Sequence, residues 1–264
     1  MRQNFFPALG LAALLCADAA ARNAAPIEFQ SGTNATPLLE LYTSEGCSSC
    51  PPAEAWRARM KDSPGIWKEI VPVAFHVDYW DHLGWKDPFA TQASTQRQHS
   101  HASHWGAGSV YTPGFVFEGK EWRGWFNREA MPRAARRPVG VLTARSETGQ
   151  PWTVRFDPAH GGTASACDLH AALLGFNLEV EVKAGENRGR VLPHDFVVIA
   201  FASATSTKTN GSYEAVLALN SNPKVSPKRL AVAAWVTPVR SLTPLQAVGG
   251  WLPRTNQAPI VQRP

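Results

Sequence analysis

Cysteine is scarce in this chain of 264 residues, which contains four. Cys16 lies in the apolar N-terminal run, so Cys47, Cys50 and Cys167 remain for the rest of the protein. Exported proteins that depend on disulfides for stability carry a larger and even number of cysteines. The count therefore excludes a disulfide-built scaffold and is compatible with one reactive pair and one leftover thiol.

Two enzyme signatures and a nucleic-acid signature are also missing. The sequence has neither the Gly-x-Ser-x-Gly elbow of many hydrolases nor the His-Glu-x-x-His motif of zinc peptidases. The net charge is +5, but the densest basic cluster, at Arg133, Arg136 and Arg137, is too short for a nucleic-acid footprint. Neither a hydrolase nor a nucleic-acid partner is expected.

Apolar runs of membrane length are absent from the sequence. The longest run, from Phe5 to Cys16, follows the positive charge of Arg2 and precedes small residues, as in a secretory signal peptide. It is shorter than the roughly 20 apolar residues that span a bilayer. We predict a signal peptide over residues 1–21, a periplasmic or secreted protein, and no membrane association once the signal is removed.

What the sequence does contain is the segment ELYTSEGCSSCPP, with Cys47 and Cys50 between two predicted elements. Residues 37–43 form an apolar run of strand length, and helix formers occupy residues 53–61. The two prolines after Cys50 fit only the first turn of a helix. A second apolar strand at residues 70–79 completes a β–α–β unit, with the cysteines at the C-terminal end of its first strand.

This position suits thiol chemistry. Free backbone donors and the helix dipole stabilise a thiolate at Cys47, and Cys50 is one helical turn away, where it can attack a mixed disulfide. Glu45 opposes the thiolate if its carboxylate lies close to the sulfur. A redox pair is favoured, a static disulfide remains open, and a structural zinc site lacks a second Cys-x-x-Cys.

The remainder of the chain divides near Pro138. Residues 80–108 predict a mostly helical insertion, a β-hairpin follows the loop at residues 110–114, and residues 127–137 predict a short helix. After residue 139, short strands alternate with turns rich in glycine, asparagine and proline, as in a sandwich-like all-β module. The predicted strands are residues 152–156, 164–176, 178–183, 195–203, 213–219 and 230–237.

Two further features remain open. His99, His101 and His104 can be combined with the cysteines into a copper site, although only His101 and His104 share a helical face. Cys167 stands in an apolar strand, which predicts a buried, inert thiol.

Five stretches resemble the DUF1223 family of secreted bacterial proteins: LLELYTSEGCSSCPPAE, AFHVDYWDHLGWKDPFA, TQRQ, VYTP and VEVKAGENRGRVL. YTSEGCSSC is also similar to the active-site opening of thioredoxins and glutaredoxins, and VYTPG to their cis-proline loop. The resemblance implies an α/β + β fold, with a thioredoxin-like domain at residues 37–137 that carries a helical insertion at about 80–108. A β-rich C-terminal module at residues 139–264 follows it. The resemblance also implies a cis Thr112–Pro113 bond.

Together these observations predict an exported thiol–disulfide oxidoreductase without a cofactor, acting on protein thiols, protein disulfides or glutathione. Cys47 and Cys50 are the expected catalytic residues. The expected substrate-binding residues are Tyr111, Thr112, Pro113, Asp78 and Trp80. The alternative is a non-catalytic binding or copper-delivery protein on the same fold, suggested by the histidine cluster, by Glu45 and by the large second half.

Overall fold

A computed structural model of the protein describes residues 25–133, 135–147, 150–159, 164–222 and 225–253. The predicted signal peptide, residues 1–21, lies outside these ranges. Within them, neither α-helix is long and apolar enough to cross a membrane.

The first half of the chain alternates strands with helices. Its α-helices are α1 (Cys50–Ala58) and α2 (Gln92–His104), and short 3₁₀ turns lie at Arg59–Asp62 and Asp81–Leu83. Its strands are β1 (Ile27–Gln30), β2 (Leu38–Thr43), β3 (Val71–His76), β4 (Gly114–Phe117) and β5 (Lys120–Glu121).

The described residues of the second half contain strands joined by turns. The strands are β6 (Gly140–Ser146), β7 (Trp152–Pro158), β8 (Ala166–Phe176), β9 (Leu178–Glu181), β10 (Val191–His194), β11 (Val197–Thr207), β12 (Tyr213–Leu217), β13 (Arg229–Pro238) and β14 (Gln246–Trp251). β9 and β10 form an antiparallel hairpin of their own.

Eight strands form one mixed sheet in the order β14-β13-β8-β11-β3-β2-β4-β5. β3 pairs in parallel with both β2 and β11, and the other neighbours are antiparallel. The two halves of the chain meet where Ala74 of β3 pairs with Val197 of β11. The amide of Ala74 also donates to the carbonyl of Phe196 at 2.9 Å. Strands from both sides of Pro138 thus share one sheet.

The long strands β8 and β13 extend the large sheet beyond β11. Both are buried over most of their length. Their side chains alternate between two apolar clusters: Ala172 and Leu174 pack with Trp235, whereas Leu169 and Ala171 pack with Val232. A strand whose two faces are both covered belongs in the interior of a layered sheet. β8 and β13 therefore lie inside the sheet and not at its edge.

A second, antiparallel sheet has the order β1-β6-β7-β12. Leu142 of β6, Val154 and Phe156 of β7 and Leu217 of β12 face the cluster that contains Leu169. The N-terminal strand β1 thus belongs to the same layer as strands from the second half. This layer packs on the part of the large sheet that β8 and β13 form.

The predicted fold class, a thioredoxin-like α/β domain with a helical insertion followed by a sandwich-like β module, is therefore wrong. The described residues contain far more strand than helix, and one large mixed sheet runs through both halves. The prediction failed because the pairing of β3 with β11 joins segments far apart in sequence, and the local pattern carries no information about it.

Two local predictions also need correction. The described residues of 127–137 form turns and irregular chain instead of a helix, in line with the disruptive effect of Pro132. In the stretch 80–108, the only α-helix among the described residues is α2. Thr91 precedes its first residue and caps it, because the Thr91 hydroxyl accepts a hydrogen bond from the amide of Ser94.

The two helices cover opposite faces of the sheet because side chains of β2 alternate. Leu39 and Leu41 contact Ala53 of α1 in one apolar cluster. On the other face, the Glu40 carboxylate accepts two hydrogen bonds from the Arg97 guanidinium of α2, at 2.7 and 3.0 Å. This bidentate ion pair is buried, and it fixes α2 against the strand that leads to Cys47.

Candidate functional site

The cysteine turn connects β2 to α1. Cys47 and Cys50 form a disulfide with a Cα–Cα distance of 5.5 Å, and Cys50 is the first residue of α1. The two prolines that follow Cys50 lie in the first turn of α1, as predicted. Both cysteines are fully buried, whereas Ser48 and Ser49 between them are exposed. The structure therefore brings the predicted pair together but covers its sulfur atoms.

The loop before β4 faces Cys47. The Thr112–Pro113 peptide bond is cis, which confirms the prediction. The carbonyl oxygen of Thr112 lies 3.7 Å from the sulfur of Cys47, and the Thr112 hydroxyl accepts a hydrogen bond from the Trp80 indole at 2.8 Å. Trp80 packs so closely on Gly46 that a Cβ there would lie 2.8 Å from the Trp80 Cβ. Glycine at position 46 therefore allows Trp80 to cover the turn.

The other two predicted substrate-binding residues make their hydrogen bonds elsewhere. The Tyr111 hydroxyl donates to Glu121 at 2.8 Å, and its carbonyl accepts from Gln98 at 2.7 Å. The Asp78 carboxylate accepts from the Thr95 hydroxyl at 2.6 Å. These contacts tie the loop and the end of β3 to neighbouring elements.

A segment of the second half closes over the cysteine turn. This segment, the turn between β9 and β10 (residues 182–190), is here called the strap. The buried Asn187 amide donates to the carbonyls of Glu45 and Cys47 at 2.8 and 2.9 Å, and Arg190 donates to the Asn187 amide oxygen at 2.6 Å. The Glu186 carboxylate accepts from the amide of Ser48 at 2.9 Å. The strap therefore holds both sides of Cys47.

The Glu186 contact has an electrostatic consequence. The amide of Ser48 lies just before α1, where the helix dipole and free backbone donors favour negative charge. Hydrogen bonds from Ser48 lower the pKa of Glu186. A carboxylate thus stands at the helix end that would otherwise favour a thiolate.

Glu45 points inward from the turn. Its carboxylate accepts a hydrogen bond from the Trp85 indole at 2.6 Å, and its other oxygen lies 3.1 Å from Nε2 of His194. Its backbone amide donates to the Asp87 carboxylate at 2.9 Å. The Glu45 charge is therefore turned toward a cation and is not left facing the disulfide alone.

His194 continues this buried network toward α1. Its Nδ1 lies 2.6 Å from the Glu54 carboxylate, whose other oxygen accepts from the Thr43 hydroxyl at 2.7 Å. Burial alone would lower the pKa of His194, but the charge of Glu54 and contacts with both glutamates raise it to about 10. Burial alone would raise the pKa of Glu54, but His194 lowers it to about 2. The two groups form a charged pair under the cysteine turn.

The histidine cluster suggested by the sequence does not assemble. His99 and His104 are exposed on α2, whereas His101 is buried, with its Nε2 3.2 Å from the Glu40 carboxylate. Cys167 is a buried free cysteine, as predicted, and burial raises the pKa of its thiol.

Sequence reasoning missed residues that lie far from Cys47 and Cys50 in the chain, or outside the motif, but contact the cysteine turn in the structure. Glu54, Glu186, Asn187 and His194 all contact the turn or its network. One signal was available, since Asn187 and Glu186 lie in the stretch VEVKAGENRGRVL that carries part of the family resemblance. The sequence of a loop, however, does not show which part of the protein the loop covers.

Comparisons with known proteins agree on the architecture. AGR_C_4864 from Agrobacterium tumefaciens has a similar structure, with a TM-score of 0.54 and 22% sequence identity, covering 84% of this chain and 96% of that chain. HBP35 of Porphyromonas gingivalis has a TM-score of 0.57 and 15% identity, covering 89% of this chain and 81% of that chain. At these identities the likeness shows the fold alone. A comparison with curated proteins finds no match.

The family comparison covers most of the sequence. The model described as "Protein of unknown function (DUF1223)" matches residues 38–237, from the first residue of β2 to the penultimate residue of β13. The matched region contains the cysteine turn, the Thr112–Pro113 loop and the strap. The chain therefore belongs to the DUF1223 family.

Proposed function

We propose that this protein is an exported thiol–disulfide oxidoreductase that works in the periplasm or outside the cell. Its substrates are protein thiols, protein disulfides or glutathione. Cys47 is the exchanging cysteine and Cys50 the resolving one. Thr112, Pro113 and Trp80 form the wall against which the substrate sulfur approaches.

The exchange needs no cofactor. In the reducing direction, the Cys47 thiolate attacks a substrate disulfide, forms a mixed disulfide and releases the first substrate thiolate. The Cys50 thiolate then attacks the Cys47 sulfur, which forms the Cys47–Cys50 disulfide and releases the second substrate thiolate. The substrate gains the two electrons that the cysteine pair loses, and the oxidising direction reverses each step.

One observation carries the proposal: the Cys47–Cys50 pair lies at the N-terminus of α1 with the Thr112 carbonyl beside Cys47. A helix N-terminus stabilises a thiolate, and an adjacent carbonyl offers an acceptor for the backbone of an extended peptide. Because both cysteines are buried, exchange requires a segment that contacts the turn, such as the strap, to move away.

The test is an equilibrium titration against glutathione redox buffers, in which free thiols are trapped by alkylation and counted by mass. We expect a reversible two-electron transition of the pair. Cys47→Ser and Cys50→Ser abolish it, whereas Cys167→Ser, the matched control, leaves it unchanged. In an insulin-reduction assay, Cys47→Ser loses the activity of the parent protein.

Two results would refute the proposal. A pair that stays oxidised across the accessible range of potentials is a structural staple. A pair that titrates reversibly while Cys47→Ser retains full insulin reduction does not use Cys47 for exchange.

A further inference from the structure

A buried group of side chains under the cysteine turn has no part in the proposed exchange. Glu54 lies on α1, His76 ends β3 and His194 ends β10. One potential ligand atom from each lies within 4.8 Å of the other two. Their side chains are 5%, 0% and 1% exposed, respectively. Three elements thus bring two imidazoles and a carboxylate to one point in the core.

Neighbouring groups already hold these side chains in place. Nδ1 of His76 lies 2.7 Å from the Asp87 carboxylate, which also accepts from the Phe89 amide at 2.9 Å. One Glu54 oxygen accepts from Thr43. Metal-binding histidines typically have their second nitrogen fixed by a carboxylate in this way. The Asp87 contact leaves Nε2 of His76 as the nitrogen available to a ligand.

One buried nitrogen at this point lacks a hydrogen bond. Among the described residues, Nε2 of His76 has no partner, whereas Nε2 of His194 faces Oε1 of Glu45 at 3.1 Å. Native proteins rarely leave a buried polar atom unpaired. A cation that accepts lone pairs from Nε2 of His76, from Glu54 and from Nδ1 of His194, which faces Glu54, gives this nitrogen a partner.

The charges of the surrounding side chains favour a dication. The carboxylates of Glu45 and Glu54 carry two negative charges, which one divalent ion balances. The flanking charges of Arg57 and Asp87 oppose each other. Imidazole nitrogen and carboxylate oxygen are the donors that zinc prefers when cysteine is not used. Ligands of tetrahedral zinc stand roughly 3.3 Å apart at bond lengths of about 2.0–2.1 Å, so ligand atoms as far apart as 4.8 Å need to approach by roughly 1.5 Å.

We propose that Glu54, His76 and His194 bind one divalent transition-metal ion, best matched by Zn²⁺, while Glu45 holds the other nitrogen of His194. His194 belongs to the hairpin that carries the strap, and Glu54 to the helix that carries Cys50. The ion therefore links the β9–β10 hairpin, which carries the strap, to α1, which carries Cys50. This inference does not depend on the redox proposal.

The first experiment uses cobalt as a visible probe. The oxidised full chain is freed of metal with a chelator and titrated with Co²⁺, both in its native state and during refolding. We expect one equivalent per chain, absorption bands in the visible range and their loss when Zn²⁺ is added. No uptake under either condition would overturn the proposal, and the group would then be a protonated hydrogen-bond network alone.

Variants locate the ion. His76→Gln should abolish the bands, whereas His99→Gln, an exposed histidine on α2, should bind as the parent does. Asp87→Asn should weaken binding about 10- to 100-fold, because it only releases the ring that holds the metal. If His76→Gln does not fold, Asp87→Asn decides the matter.

Two spectral results would also refute this site. Unchanged binding in both variants places the ion elsewhere. A strong near-ultraviolet thiolate band that carries all of the binding, appears only after reduction and disappears in Cys47→Ser places it on the cysteines.

Discussion

Glu40 and Arg97 form an ion pair inside the core, with the guanidinium 5.4 Å from the Phe75 ring centre and 5.3 Å from that of Trp235. A buried charge that loses its partner stays desolvated without compensation. We therefore expect Glu40→Gln to lower the free energy of unfolding by about 3–5 kcal/mol in a urea titration.

The control for this residue is Glu181, which forms an exposed ion pair with Lys183. Glu181→Gln removes the same charge at the surface, where solvent screens it. The urea midpoint of the Glu181→Gln variant should match that of the parent protein. Equal destabilisation by both variants would show that net charge, and not burial, is responsible.

The same carboxylate makes stability depend on pH. Burial alone would raise the pKa of Glu40, but Arg97 and then His101 lower it well below its usual range. The folded state then resists protonation that the unfolded state accepts, so the stabilisation is present above the ordinary value of 4.5 and is lost as the pH falls below it. Urea titrations between about pH 6 and pH 3 should show a steeper loss for the parent than for Glu40→Gln. Parallel curves would contradict this assignment.

Individual residues differ in how well the sequence predicts them. The Cys47–Cys50 pair is evident from its motif, and the cis Thr112–Pro113 bond follows from the resemblance. The roles of Asn187 and His194 are not evident from the sequence, because their partners Glu45 and Glu54 lie about 140 residues earlier in the chain. A local pattern records what a residue is, whereas these roles depend on which loops the fold brings together.

At the level of elements, the strap is the part of the site with the clearest effect on reactivity. Asn187→Ala removes two buried hydrogen bonds to the cysteine turn, each worth about 0.5–1.5 kcal/mol. The closed arrangement should therefore lose about 1–3 kcal/mol, which is roughly a 5- to 150-fold shift toward the open one. We expect dithiothreitol to reduce the disulfide faster by a similar factor, as followed by alkylation and mass spectrometry.

Arg188→Gln serves as the control for the strap, because Arg188 is an exposed residue of the same turn. The disulfide of the Arg188→Gln variant should be reduced at the same rate as that of the parent protein. If Asn187→Ala is also reduced at that rate, the strap does not govern access to the sulfur atoms.

The local sequence pattern predicted some strands well and missed others. The apolar runs that became β2, β3, β8 and β13 were predicted within a few residues, because burial on both faces leaves a continuous hydrophobic signal. β14 was missed because its sequence QAVGGW contains two glycines, which read as a turn. β10, with the sequence VLPH, was missed because it is short and contains proline.

For the whole molecule, the shared sheet predicts a single cooperative unit. Residues from both halves fill one apolar cluster, with Tyr42 and Phe75 from the first half and Phe176 and Trp235 from the second. Unfolding one half would expose this surface on the other. We expect fluorescence and far-ultraviolet circular dichroism to report the same urea midpoint, with one transition.

A truncated chain tests the same point. Residues 25–137 alone lack β8, β11 and β13, so β3 becomes an open edge and the cluster around Phe75 is uncovered. We expect this fragment to be unfolded or aggregated, with poor dispersion in its NMR spectrum. A well-dispersed spectrum would show that the first half is an independent domain.

The distance along the chain between the cysteine turn and its cover also sets an order of events. Ser48 and Glu186 are separated by 138 residues, and Glu45 and Asn187 by 142. Synthesis proceeds from the N-terminus, so both thiols emerge long before the segment that will shield them. During that interval an oxidase can reach the nascent cysteines without displacing anything. The growing polypeptide therefore passes through a stage in which both cysteines are exposed, whereas the folded protein buries them.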